Sequence, residues 1–229
     1  MFITYEGRDG GGKSTGALKL KEGLEAKGKK VYLKHFPDYD STIGGLIGDI
    51  LAGKHPMPSF EALQMLYVAD QMAFQKELEE LLFDENTIVI CDRYDFSTLA
   101  YYISKTGCTT QEGINLVNKK WQTELRKPDV TFIYNFKGDL DERRKNDNKE
   151  KDAIETDDKI TNSINDVYLD IAESMEYMND GRNIYIINSE NDIEHNAKFA
   201  LGTVEAEEVF ITKYMLNNRE FKNKQIEPF

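Results

Sequence analysis

A chain of 229 residues, 40% apolar and 31% charged, fits one medium-sized domain with room for a substantial core. Its 41 acidic side chains outnumber 29 basic ones, a net charge of −12 that repels a nucleic-acid backbone without excluding a small anion held by local cations. No apolar run is long enough to span a bilayer, the N-terminus carries no signal-peptide pattern, and the two cysteines give no disulfide framework or metal spacing. The expectation is a cytoplasmic protein with neither membrane nor nucleic acid as partner.

The chain opens on a short apolar strand, Phe2 to Tyr5, that leads into a glycine-rich loop. Helical sequence after Thr15, marked by Leu18, Leu20 and Leu24, runs toward Gly28, a residue suited to a helix C-terminus. Val31 to Phe36 reads as a second strand ended by Pro37. Ser41 to Ala52 reads as a short helix closed by Gly53, Pro56 and Pro58. Ser59 is a candidate N-cap for one long helix to Phe83, with Leu63, Leu66, Tyr67, Phe74 and Leu78 near helical spacing. Thr87 to Cys91 is a continuous β-branched, apolar run, the pattern of a strand buried on both faces of a parallel sheet. Val130 to Tyr134 and Asn183 to Ile187 follow, each preceded by helical sequence.

Five strands alternating with helices predict a doubly wound α/β sheet in a single domain, residues 1–229. Between Lys137 and Lys159, 16 of 23 residues are charged and apolar periodicity is lost. That stretch reads either as a solvated linker or as a mobile lid over an active site. A helical tail is expected over residues 192–229.

Gly7-Arg8-Asp9-Gly10-Gly11-Gly12-Lys13-Ser14 satisfies G-x-x-x-x-G-K-[ST] at full length, between an apolar strand and helical sequence. The glycines let backbone N–H groups converge on phosphate oxygens, and the following helix points its positive end at the same anion. In this pattern Lys13 reaches the β- and γ-phosphates of a nucleoside triphosphate and the Ser14 hydroxyl holds Mg²⁺, with Thr15 completing the ATP-side set. The fold expected is therefore the P-loop three-layer α/β/α type, with a five-stranded parallel sheet. Asp92, directly after the Ile88–Cys91 run, is the candidate acid for the metal and its waters.

Phosphate binding alone permits a switch, a motor or a kinase. A GTP-dependent switch needs N-K-x-D, and the nearest string, Asn118-Lys119-Lys120-Trp121, has Trp where Asp is required. A motor on nucleic acid wants a basic groove. A small acidic chain with a candidate lid fits a small-molecule kinase.

At Asp92-Arg93-Tyr94, followed by Ser97, Ala100 and Tyr101, the chain resembles the thymidylate kinases among the P-loop nucleoside monophosphate kinases. The resemblance extends to Phe2–Gly7, Phe36-Pro37 with Ile43-Gly44, Leu66–Asp70 and Lys127-Pro128-Asp129, and covers residues 2 to about 190. It implies transfer of the γ-phosphoryl of ATP, with Mg²⁺, to a deoxynucleoside monophosphate, foremost dTMP, by a cytoplasmic homodimer. A kinase of broader base choice, or one tuned to a modified pyrimidine, is the alternative. A non-catalytic nucleotide-binding protein is the alternative from another class.

The resemblance also implies roles. Arg93 clamps the acceptor phosphate, a bidentate task suited to guanidinium. Asp9 faces the acceptor sugar and phosphate. Tyr67 stacks on the base, Tyr101 crowds the sugar 2′ position, Ser97 and Thr98 supply small hydrogen-bonding groups, and Phe36, Pro37 and Leu51 form apolar walls. Gly10 follows Asp9 where some relatives carry an arginine, so the charge-stabilising arginine is expected from the lid, at Arg143 or Arg144, with Arg143 also on the ATP side. Three departures stand out. Gln71 occupies the position of a base-reading arginine, Tyr39 that of an arginine after Phe-Pro, and the lid string Asp152-Ala153-Ile154-Glu155 lacks its arginine.

Overall fold

The computed structural model describes residues 1–136, 158–177 and 181–224. In chain order, β1 (Phe2–Gly7) leads to α1 (Lys13–Glu25), β2 (Lys30–His35), α2 (Thr42–Leu51), α3 (Phe60–Ala73), α4 (Gln75–Leu82) and β3 (Thr87–Asp92). Then come α5 (Asp95–Thr106), α6 (Thr110–Gly113) running into a π-helical segment (Ile114–Trp121), β4 (Val130–Asn135), α7 (Asp158–Tyr177), β5 (Asn183–Asn188) and α8 (Ile193–Lys224).

All five strands pair in parallel, in the order β2-β3-β1-β4-β5. Strands β1 and β3 are buried along their whole length, which is why apolar and β-branched residues dominate them. Ile3 and Tyr5 of β1, with Ile88 and Ile90 of β3, pack against Leu20 and Leu24 of α1 and Val204 of α8. The alternate residues Phe2, Val89 and Cys91 meet Phe74, Leu78 and Tyr94 on the opposite face, and α5 and α7 join through Leu99, Ile103, Ile164 and Ile171. Helices therefore cover both faces of one sheet, as alternating strand and helix demand.

Two local expectations are refined. Gly28, with φ of 82°, closes the turn after α1, but the helix itself ends at Glu25. The long helix expected from Ser59 to Phe83 is two helices that meet at Phe74. Ser59 caps the first, its hydroxyl accepting from the Ala62 amide at 3.2 Å. The break occurs because the Gln75 side chain donates to the Gln71 carbonyl at 2.8 Å, while the Phe74 amide reaches back to that same carbonyl at 3.3 Å. The Phe74 ring is then seated against Phe36 and Tyr32.

Because β1 sits between β3 and β4 while the chain runs first to β2, the connections leaving β1 and β3 diverge. Ligands in such sheets bind at the carboxyl ends of the strands flanking that point. Here those ends carry Gly7 and Asp92.

Candidate active site

The glycine-rich loop leaves β1 at Gly7, whose φ is 131°. A Cβ there would lie 2.5 Å from the Tyr134 carbonyl oxygen, so only glycine fits. The loop enters α1 through Gly12, in the left-handed region, with no side chain capping the helix. The first-turn amides of α1 thus lack intrahelical partners and point their positive end into the loop. Lys13 is 5% exposed, and its ammonium donates to the Arg8 carbonyl at 2.8 Å. Burial, and then the neighbouring Arg93, lower its pKa to about 8. Two cations held this close favour an anion between them.

At the end of β3, Asp92 and Ser14 meet: the Ser14 hydroxyl donates to Asp92 Oδ2, and His35 Nδ1 lies 3.3 Å from that oxygen. Burial would raise the Asp92 carboxyl, but the His35 hydrogen bond and the charges of Lys13 and Arg93 hold it down at about 2. Its other oxygen, Oδ1, is buried with no partner among the described residues. An ionised, half-satisfied carboxylate beside a hydroxyl and a phosphate loop is a donor set suited to Mg²⁺, which takes one or two protein oxygens and completes its shell with phosphates and water. No cluster of three or more His, Cys, Asp or Glu that could hold a metal occurs among the described residues.

Arg93 follows immediately, with φ of 71°, in a region that non-glycine residues seldom adopt and that clusters at functional sites. Its amide donates to the Tyr5 carbonyl at 2.9 Å, which turns its side chain back beneath the loop. There Nη1 donates to the Gly7 carbonyl at 3.2 Å and to Ser97 Oγ at 3.1 Å, while Nη2 pairs with Asp9 Oδ1. Tyr101 donates its hydroxyl to the other Asp9 oxygen, and the guanidinium lies 5.6 Å from the Tyr101 ring centre. Burial alone would raise the Asp9 carboxyl; Arg93, Lys13 and the Tyr101 hydroxyl outweigh it and hold the group well below the usual carboxylate range.

All eleven residues expected on the acceptor side, Asp9, Phe36, Pro37, Tyr39, Leu51, Tyr67, Gln71, Arg93, Ser97, Thr98 and Tyr101, line one cavity, joined by His35 and Gln64. Asp70 shapes its rim: its carboxylate accepts from the Asp38 amide at 2.8 Å and the Ser41 hydroxyl at 2.7 Å. Gly44 lets α2 press onto the same loop, since a Cβ there would lie 2.0 Å from the Asp38 carbonyl oxygen. A second hollow borders the phosphate loop, lined by Gly11, Gly12, Thr15, Tyr134, Ser189, Asn191 and Asn196. Arg143, Arg144 and the lid string lie outside the described residues; Asp158 and Lys159, the last two of the charged stretch, open α7.

Several site residues escape a reading of the sequence. Glu6 is fully buried behind Arg93, where its carboxyl accepts from the Tyr94 amide at 2.9 Å and meets Ser97 Oγ at 2.6 Å. Burial and nearby Asp95 push this carboxyl up to about 8, against the pull of Ser97, Arg93 and Lys13. The Tyr168 hydroxyl, brought in by α7, reaches Ser97 at 2.9 Å. Arg182, just before β5, grips Asp95 at 3.1 and 2.8 Å and stacks 4.4 Å over Phe96, anchoring the start of α5. A carboxylate at the end of an apolar strand was the available signal for Glu6. Nothing local marks the other two.

The fold and this site define a P-loop phosphotransferase, with a triphosphate loop facing a second cavity across one arginine. The sequence matches the thymidylate kinase family over residues 5–199, and the chain belongs to that family. It is 31% identical to a probable thymidylate kinase of Thermococcus kodakarensis over 214 residues, 88% of this chain and 96% of that protein. It is 37% identical to the thymidylate kinase of African swine fever virus over 143 residues, 62% of this chain but 54% of the viral protein. A solved thymidylate kinase from Candida albicans superposes with a TM-score of 0.70 at 25% identity, covering 90% of this chain and 91% of that one.

Proposed function

We propose that this chain transfers the γ-phosphoryl group of ATP to dTMP, yielding dTDP and ADP. The observation that carries the reading is Arg93, which touches the phosphate loop at Gly7 and Asp9 and the acceptor cavity at Ser97 through one side chain. Donor and acceptor phosphates held on either side of it meet near the end of β3. The acceptor phosphate is already an oxyanion near neutral pH, so the chemistry needs no general base and reduces to alignment and charge neutralisation.

The loop amides, the N-terminus of α1 and Lys13 bind the β- and γ-phosphates, and the hollow at Ser189, Asn191 and Asn196 offers polar groups beyond the loop for the donor base. Arg93 clamps the acceptor phosphate; Asp9, itself held by the Tyr101 hydroxyl, pairs with its guanidinium. Tyr67 offers a face for the base, a stacking contact of roughly 1–3 kcal/mol that accepts any base. Ser14 and Asp92 would hold Mg²⁺, which supplies charge neutralisation on the phosphates when bound. Arg143 and Arg144 are proposed to meet the charge that develops on the transferring group. The names of the relatives support dTMP as acceptor. A cytoplasmic homodimer is carried over from the family resemblance; the free thiols of Cys91 and Cys108 suit a reducing compartment.

A coupled assay of ADP release decides the matter. Release that depends on added dTMP and is abolished by a chelator is the expected result. Release that no deoxynucleoside monophosphate stimulates would show a nucleotide-binding protein without kinase activity.

A further inference from the structure

Ser97 lines the acceptor cavity, yet its hydroxyl is wholly engaged by the protein itself. Arg93 Nη1 lies 3.1 Å away, Glu6 Oε2 2.6 Å and the Tyr168 hydroxyl 2.9 Å. A serine hydroxyl has one proton and two lone pairs, and a guanidinium only donates, so Arg93 takes one lone pair. Glu6 and Tyr168 take the other lone pair and the proton, in either order. Nothing remains for a substrate, so what Ser97 does for the reaction it does through Arg93.

That influence is directional. A guanidinium carries five N–H donors in one rigid plane. Nη1 spends both of its protons, on the Gly7 carbonyl at 3.2 Å and on Ser97, and Nη2 spends one on Asp9. Gly7 and Asp9 both belong to the phosphate loop, whereas Ser97 ties the guanidinium to α5. Where Ser97 Oγ sits therefore decides how the plane is turned, and with it the direction of the donors left for a phosphate.

A serine hydroxyl has three staggered positions to choose from. Tyr168 offers it a fixed partner. Its ring is 1% exposed, seated in the core that α5 and α7 share with Phe96, Ala100, Ile164 and Ile171, so its hydroxyl has one place to be. Helix α7 is itself pinned one turn earlier. Asn165 Oδ1 accepts from the Phe136 amide at 3.3 Å and Nδ2 donates to Asn135 Oδ1 at 2.6 Å, which fastens the helix to the end of β4. Tyr168 does not line the acceptor cavity, so its route to the chemistry runs through Ser97.

Resting on the kinase reading above, we propose that Tyr168 is a positioning residue: its hydroxyl holds Ser97 in the rotamer that orients the Arg93 guanidinium toward the acceptor phosphate.

The test is a double-mutant cycle on Tyr168 and Ser97, read as steady-state kinetics with ATP and dTMP. Tyr168→Phe keeps the ring and removes the hydroxyl alone. Its kcat/KM for dTMP is expected to fall about tenfold, the effect of one buried hydrogen bond, with KM for ATP within about twofold of wild type. Ser97→Ala should lower kcat/KM for dTMP by about tenfold or more. Adding Tyr168→Phe to Ser97→Ala should then change it by less than about twofold, because residues acting through one contact are not additive. Unchanged kcat/KM in Tyr168→Phe, even with a lowered urea midpoint, overturns the proposal and shows the hydroxyl to be a packing contact. Losses that multiply in the double variant overturn it too, since Tyr168 would then act by a route that bypasses Ser97. Wild-type enzyme that turns over no deoxynucleoside monophosphate overturns the kinase reading, and the positioning role falls with it. Should Tyr168→Phe fail to fold, Ser97→Ala decides from the other side: a loss confined to the acceptor supports the role, and wild-type kinetics overturn it.

Discussion

Replacing Glu6 with Gln should remove a fall in stability that the wild-type protein undergoes between about pH 5 and pH 8. Glu6 is fully buried, and burial and Asp95 push its carboxyl from an ordinary value of 4.5 up to about 8. A group whose pKa rises on folding contributes stability that is full below the unfolded value and is lost as pH climbs through the folded one. The interval from 4.5 to about 8, at about 1.36 kcal/mol per pH unit, sets an upper limit of roughly 5 kcal/mol. The Gln amide copies the protonated acid: its oxygen accepts from the Tyr94 amide and its NH₂ donates to Ser97. Urea unfolding of both proteins at about pH 5, 6, 7 and 8 reads the effect, and subtracting the two curves cancels the titrations they share. The stability of the variant relative to wild type should rise by about 1 kcal/mol per pH unit across this range. Parallel curves would mean that Glu6 is ionised in the folded chain as a counter-charge to Arg93, and would refute the reasoning.

Two further outcomes are expected. Arg182→Met strands the buried Asp95 carboxylate and should cost roughly 3–5 kcal/mol in urea unfolding, most of it recovered by adding Asp95→Asn; an unchanged midpoint for the single variant would show the pair to be dispensable. Arg143→Ala and Arg144→Ala should lower kcat more than they raise KM for the acceptor, because they are proposed to meet charge that appears only during transfer. Wild-type kcat in both variants would remove Arg143 and Arg144 from the reaction.

The arrangement around Arg93 also explains why this site is rigid where it must be. The left-handed turn is held from three directions: by the Tyr5 carbonyl on β1, by Glu6 on the Tyr94 amide, and by Gln71 on the Tyr94 carbonyl. Arg93, proposed to clamp the acceptor phosphate, is therefore tied through the Tyr5 carbonyl to the strand that leads into the phosphate loop.

The five-stranded sheet and the phosphate-loop motif were legible in the sequence. Strands buried on both faces are predominantly apolar and β-branched, so β1, β3 and β4 were readable from it, and a phosphate loop works through the backbone of eight contiguous residues, so its chemistry is local. The break at Phe74 was hidden because its apolar spacing continues the helical period; a side chain competing for the Gln71 carbonyl made the break. Tertiary structure alone decided which polar groups were left with partners and which were not. Glu6 meets its partners 88 and 91 residues away, and Tyr168 reaches Ser97 from 71 residues away. The Gln71 amide took its direction only when the Tyr94 carbonyl, 23 residues on, claimed its nitrogen, because the direction in which an amide points is set by what surrounds it.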